Sequence, residues 1–472
     1  MNAADILFPA AFILGALALG ISVALGLLTG SSIERHLGTR TFWLLMALLL
    51  CVGATALDFL TSPGVNARSL GGLEGHLWGP AIWIKRAALM LIVLGALMNA
   101  ASGAFRNTTR FDLVFVAFLL FWLTNYALNA LAGTNQEFLG TSLYVLPLVL
   151  AIYADDETAF EGFSKGVVLA MTLVMIGSLA AIPVAQKYVV MRSLTTIIGA
   201  LGGRLNGLTG HPNTLAQIAL LVLAFFLFRP ETVRSRFLKV LISLLAVVVM
   251  VLTQSKTAAA VLAVLVLARV ARTAIGSFDS VNRRGGMAAV LSIGVALLAL
   301  ALGLQIAGVF ERLFDKLATL IPTLTTFTGR TEIWRLTFAE FVRNPLFGYG
   351  PGLWDLNFRL ETGLLEVGQA HNQLLQTLGS GGLFGVAGLL FYLGVLAQAS
   401  WRLLRREHVW LPAVLFAMLL ILSIAEAPFR LAHPMDIGTL LQVCLLMSLR
   451  HYRLKAEVAP APQPLPVSRR FA

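Results

Sequence analysis

The sequence predicts an all-α integral membrane protein that crosses the bilayer many times, and three observations carry that prediction. Of its 472 residues, 58% are hydrophobic and only 12% are charged, against a charged share of about 25% in soluble domains. Apolar runs near the length of a spanning helix recur along almost the whole chain, separated by short polar breaks. Long β-branched stretches with apolar–polar alternation are missing, which argues against a transmembrane barrel. The mean hydropathy of +0.84 belongs to the same class.

Thirteen candidate spans follow in order, near residues 6–29, 41–60, 80–101, 111–131, 138–154, 166–184, 213–228, 237–253, 257–271, 287–309, 373–399, 410–427 and 436–449. The runs at 257–271 and 436–449 are short, so twelve to fourteen spans fit. Residues 1–29 hold no Lys or Arg ahead of their apolar stretch, which therefore reads as a retained first helix rather than a cleaved signal peptide. The organisation expected is an N-terminal group of transmembrane helices over 1–184 and a core over 185–400 with long outer loops at 185–212 and 310–372. The last transmembrane helices occupy 401–449, and a cytoplasmic tail covers 450–472. Within the tail, the Ala- and Pro-rich stretch 456–467 reads as disordered.

Lys and Arg orient the chain. Of the 35, 21 fall in the tail and one set of alternate breaks. Six of the others lie in the long break 310–372, and long loops report topology poorly. The remaining comparison is 21 against 8, so the first set is cytoplasmic and the N-terminus outside. The same bias accounts for much of the formal charge of +12, and a nucleic-acid partner is not expected. Cys51 and Cys444 lie in apolar runs without a His or Cys partner at ligand spacing, so neither a disulfide framework nor a metal site is expected.

The outward segments carry the chemistry. One runs from 185 to 212 and leads through Gly203-Arg204-Leu205-Asn206-Gly207 to His211-Pro212-Asn213, where Pro212 suits a first helical position. A short turn holds Gln254-Ser255-Lys256-Thr257. The long loop 310–372 contains Gly329-Arg330-Thr331-Glu332-Ile333-Trp334, then Asn344-Pro345 and Gly348-Tyr349-Gly350, and closes on His371-Asn372. Trp334, Phe338, Phe341 and Val342 follow helical spacing and predict an amphipathic helix from Thr331 to Arg343, ended by Asn344-Pro345. No strand precedes the glycines at 348, 350 and 352, so they read as a flexible turn rather than a phosphate cradle.

Arg204 and Arg330 stand beside glycines that let a ligand approach the backbone, and Arg330 opens a helix whose free N–H groups favour an anion. Guanidinium groups grip phosphate oxygens bidentately and stay charged, which suits a lipid-linked diphosphate. Phospholipid headgroups or a neighbouring acid such as Glu332 would occupy them equally well. Among the outward histidines His76, His211, His371 and His433, His371 directly precedes a span and would sit at the mouth of the bundle. An imidazole there can take a proton from a sugar hydroxyl, although a helix-capping histidine fits the same spacing.

Together these segments resemble the O-antigen ligase and polymerase superfamily over roughly residues 190–400. The resemblance implies a helical bundle of the membrane glycosyltransferase kind, with an outer cavity roofed by the long loop. It implies an inverting glycosyltransferase that works without a metal ion or other cofactor in the bacterial inner membrane, its active site facing the periplasm. The donor would be a glycan on undecaprenyl diphosphate, and the acceptor another glycan or lipid A-core. By position, Arg204 and Arg330 would contact the diphosphate and His371 would activate the acceptor, with His211, Asn213, Lys256 and Asn372 in support. The Ser-Lys-Thr turn and the Thr-Gly-Arg-Thr-Glu-Ile-Trp stretch resemble exopolysaccharide polymerases more than ligases. A lipid-linked oligosaccharide flippase would share the hydropathy, but transporters usually hold ionisable groups at mid-membrane. Here Asn125 and Asn129 are the main polar pair within a span.

Overall fold

The structure, a computed structural model, describes residues 30–57, 80–105, 111–137, 140–154, 158–191, 202–277, 330–364, 367–431 and 436–458. Its helices, in order, are α1 (Gly30–Val52), α2 (Pro80–Phe105), α3 (Leu113–Ala132), α4 (Val145–Ala154) and α5 (Ala159–Ala180). They continue as α6 (Ile182–Val189), α7 (Pro212–Phe228), α8 (Arg236–Thr253), α9 (Lys256–Ser277) and α10 (Arg330–Arg343). The last are α11 (Leu356–Thr362), α12 (Gln373–Glu407), α13 (Leu411–Ala425) and α14 (Ile437–Val458). Between α6 and α7, β1 (Val190–Met191) and β2 (Arg204–Leu205) form a two-residue antiparallel pair, Val190 opposite Leu205 and Met191 opposite Arg204.

Every expected span that falls on described residues coincides with a helix. Among the described residues, six helical stretches are long and apolar enough to cross a membrane: Thr39–Leu57, Ile82–Ala101, Leu113–Ala132, Ala159–Ala180, Arg236–Thr253 and Gln373–Glu407. The expected spans 6–29 and 287–309 lie outside the described residues, as does 459–472. Helix α14 runs to Val458, a few residues into the stretch read as disordered.

Burial explains how the helices are arranged. From Ile218 to Phe228 α7 is apolar all round, and nearly every side chain there is buried, so it is a central helix. α8 leaves Phe237, Val240, Leu241, Leu244, Val248 and Val251 exposed, the pattern of a lipid-facing helix. α1 and α5 approach closely because Gly162 and Gly166 stand four residues apart. A Cβ on Gly162 would lie 1.7 Å from the Arg40 carbonyl oxygen, so only the small-residue pair permits this contact.

α12 is broken. Gly382 has φ 58° and ψ −155°, a region essentially closed to side-chain-bearing residues. The groups freed by the break find partners in the 345–350 loop. The N–H groups of Leu383 and Phe384 donate to the carbonyls of Pro345 and Leu346, and those of Tyr349 and Gly350 donate to the carbonyls of Gly379 and Ser380. On the other side, Asn125 Nδ2 donates to Gly385 O at 3.0 Å and Asn129 Nδ2 to Ser380 O at 2.9 Å. Both asparagines sit on α3 at or just beyond its π-helical turn, Leu123–Ala127. The polar pair in the fourth expected span therefore satisfies carbonyls beside a helix break. The glycine segment 348–352, expected as a flexible turn, is instead buried and bonded to both α12 and the 134–135 backbone.

The long loop has a small core of its own, built from Ile333, Tyr349, Leu353, Trp354, Phe358 and Ala370. Trp334 Nε1 donates to Ala370 O at 2.9 Å, and Trp354 Nε1 to Thr337 Oγ1 at 3.2 Å. These contacts tie α10, the 349–358 segment and the start of α12 into one unit. Arg40, Lys165, Arg229, Arg272 and Arg453, all in the set read as cytoplasmic, cluster around Glu161, Phe160, Asp112 and the C-terminal end of α7. The long loop and the N-terminal end of α7 meet at the other end, about 25 Å away at 1.5 Å per residue.

Candidate active site

Local sequence rules set the frame. At the start of α7, His211 is the N-cap with extended backbone, and Pro212 follows where a missing N–H costs nothing. α12 begins with Asn372, whose Oδ1 accepts from Leu375 N–H at 3.0 Å. α8 ends on Gln254 with φ 52°, turning the chain into α9, where Ser255 Oγ accepts from Ala258 N–H. α13 ends at Ala425, leaving Glu426 as its extended C-cap.

Glu426 is where these ends converge. Its Oε1 accepts from Asn213 Nδ2 at 2.6 Å. Its Oε2 accepts from Gln369 Nε2 and faces His371 Nδ1 at 3.3 Å. Gln369 returns through Oε1 to Ala427 N–H at 2.8 Å, and Asn372 Nδ2 donates to Ile424 O at 3.3 Å. Both oxygens of this buried group accept amide N–H bonds, from Asn213 and from Gln369, the arrangement of a carboxylate rather than of a protonated acid. Glu426 is thus an ionised, buried acceptor. Its partner His371 must present Nδ1–H to it, which leaves a lone pair on Nε2.

His371 is held firmly. Its φ of 51° lies in the left-handed region, uncommon for a residue with a side chain. The preceding peptide is pinned on both sides: Ala370 N–H donates to Gln376 Oε1 at 2.8 Å, and Ala370 O accepts from Trp334. Among the described residues, Nε2 of His371 makes no hydrogen bond.

Arg204 reaches the same network from β2. Its Nε donates to Thr253 O at 3.0 Å and its Nη2 to Asn213 Oδ1 at 3.0 Å. Three of its five N–H groups remain for a ligand. Burial lowers the guanidinium's pKa, and Glu426 opposes this. Arg330, at the first residue of α10, makes no hydrogen bond or ion pair among the described residues. Its suggested acid partner is taken: Glu332 pairs with Arg335 through two bonds of 2.6 and 2.8 Å. Arg330 nonetheless acts electrostatically on His211, as do Arg204, His371 and Glu426.

The sequence-derived set is therefore largely brought together. Arg204, Asn213 and His371 are joined by hydrogen bonds through Glu426; His211 and Arg330 share their electrostatic field; Asn372 caps the helix that follows His371. Lys256 is not joined: its side chain is exposed and bonds to nothing in this network. Glu426 and Gln369 went unread in the sequence. A signal existed for Glu426, an ionisable residue inside the expected span 410–427, because such residues are costly in a membrane and usually functional. Alongside the network, Asn125, Gln373, Gln376, Thr377, Ser380 and Arg430 help line a polar cavity of about 20 Å³, room for a water molecule.

No curated protein matches the chain. Residues 241–390 match the O-antigen ligase family, from α8 into α12, and so include Arg330 and His371 but not Arg204, His211 or Glu426. Over those residues, roughly a third of its length, the chain is similar to the O-antigen ligases, which supports the likeness to the O-antigen ligase and polymerase superfamily.

Proposed function

We propose that the protein transfers a glycan from undecaprenyl diphosphate to an acceptor hydroxyl at the periplasmic face of the bacterial inner membrane, joining one lipid-linked repeat of an exopolysaccharide or O-antigen to another. The observation that carries this reading is the His371–Glu426 pair next to two arginines with unused donors. In the step proposed, the acceptor oxygen attacks the anomeric carbon as its proton passes to His371 Nε2. A new C–O bond forms and the bond to the diphosphate oxygen breaks, the electron pair leaving with the lipid diphosphate. Arg204 and Arg330 stabilise the charge that grows there, and diphosphate needs no carboxylic acid to assist its departure. Attack opposite the leaving group inverts the anomeric centre.

Ligation to lipid A-core is the second reading, favoured by the family described as O-antigen ligase. Purified protein in detergent, given a synthetic undecaprenyl-diphosphate repeat with EDTA, separates the two on a gel. A ladder of longer lipid-linked glycans without lipid A-core supports polymerisation. One transfer seen only when lipid A-core is added supports ligation. No product from folded protein under either condition contradicts both readings and returns weight to a flippase.

A further inference from the structure

The step above leaves His211 without a task, yet its ring is as closely specified as that of His371 and in the opposite sense. Pro212 has no N–H, so the first N–H available to the N-cap is that of Asn213, and it donates to His211 Nδ1 at 3.1 Å. That bond occupies the Nδ1 lone pair and puts the proton of the uncharged ring on Nε2. Nε2 makes no hydrogen bond among the described residues. His371 is the mirror case: its Nδ1 faces the Glu426 carboxylate, leaving Nε2 as an acceptor. One ring thus offers a lone pair and the other an N–H.

The charges facing His211 are Glu426, Arg204, His371 and Arg330. Burial dominates them and pushes its pKa down from 6.5 to about 4, so the ring is uncharged at neutral pH. A hydroxyl carries a proton for His371 to take, whereas a phosphate oxygen carries lone pairs for a donor to bind. The same Asn213 that donates to His211 through its N–H accepts from Arg204 through its Oδ1. Ring and guanidinium are therefore registered on one residue.

We propose that His211 binds the leaving diphosphate of the lipid-linked donor through its Nε2–H, alongside Arg204. This rests on the glycosyl-transfer reading above. An uncharged donor holds a phosphate oxygen without adding a third cation to Arg204 and Arg330. It also adds directional specificity for an oxygen where the arginines supply charge.

The test is binding of farnesyl diphosphate, a soluble diphosphate probe, to purified full-length protein by calorimetry at pH 7.5. His211→Asn keeps a good N-cap acceptor but deletes Nε2–H, and His211→Gln puts an amide N–H near the position of Nε2. The expected result is that Asn weakens binding about 10- to 100-fold, the scale of a hydrogen bond to a charged group, while Gln recovers part of the loss. Equal affinity in wild type and His211→Asn overturns the inference and leaves the diphosphate-donor reading intact. Failure of folded wild type to bind the probe overturns both. If His211→Asn does not fold, His211→Gln still decides, since binding lost as fully as in an Arg204→Ala protein contradicts a role for an N–H at this position.

Discussion

Replacing Glu426 with Gln should disable the base without disturbing the substrate sites. The carboxylate receives three donors, from Asn213 Nδ2 at 2.6 Å, from Gln369 Nε2 and from His371 Nδ1 at 3.3 Å. An amide has one carbonyl oxygen, so it can serve Asn213 or the Gln369–His371 side but not both. If the oxygen stays with Asn213, whose Oδ1 is fixed by Arg204, the new NH₂ faces His371 Nδ1. The ring then relieves the clash of two donors by moving its proton to Nε2, where the lone pair was needed. Losing a general base costs about 10²–10⁴ in rate, and a wrong tautomer is one way to lose it. The expected outcome is a fall of that size in kcat with KM changed less than about threefold, since Glu426 stands behind the ring. Glu426→Asp, which retains the charge at a shorter reach, should lie between the two. The assay is steady-state release of undecaprenyl diphosphate by protein shown to be monodisperse and thermally intact. Glu426→Gln turning over within threefold of wild type would refute the positioning argument.

Further outcomes follow from the same geometry. Gly382→Ala should cost about 3 kcal/mol or more in detergent thermal unfolding, because its backbone angles admit only glycine and the new Cβ would lie 2.5 Å from the Leu346 carbonyl; an unchanged midpoint would mean that α12 is not broken there. Arg204→Lys and Arg330→Lys should each lower kcat/KM about 10- to 100-fold, since an ammonium keeps the charge but loses the paired N–H fork; activity equal to wild type would remove that arginine from the diphosphate site. His211 gives a pH prediction with a definite sign. Its folded pKa, about 4, lies below the unfolded value of 6.5, so the unfolded chain binds the proton first and stability falls as pH drops from about 6.5 towards 4. The loss approaches roughly 3 kcal/mol by the linkage relation, and His211→Asn should lack it when unfolding is followed from pH 7.5 to 4.5.

The parts of this fold that were legible are those governed by local chemistry. Apolar run length located the helices, and Pro212 and Asn344-Pro345 marked a helix start and a helix end that the structure places at Pro212 and Arg343. Arg330 and His371 were legible because each flanks a helix in a polar loop. The missing pieces depend on contacts distant in sequence. Glu426 meets His371 across 55 positions, and its surroundings, Ala425, Ala427 and Pro428, offer no motif. Asn125 and Asn129 read as an isolated polar pair because their partners lie on α12, more than 250 residues away. The run Gly379-Ser380-Gly381-Gly382 hinted at a break, but glycine is common in membrane helices and the hint is weak in isolation. The 348–352 turn was misread for the same reason: its rigidity comes from α12 rather than from its own sequence.

The most direct measurement is turnover of an undecaprenyl-diphosphate-linked glycan by purified wild-type and His371→Ala proteins, compared in one preparation at neutral pH with EDTA. The mechanism predicts glycan transfer and release of undecaprenyl diphosphate by wild type, and a rate lower by about 10²–10⁴ for the variant, with both proteins still binding farnesyl diphosphate. Transfer by His371→Ala at the wild-type rate would contradict the mechanism at its centre.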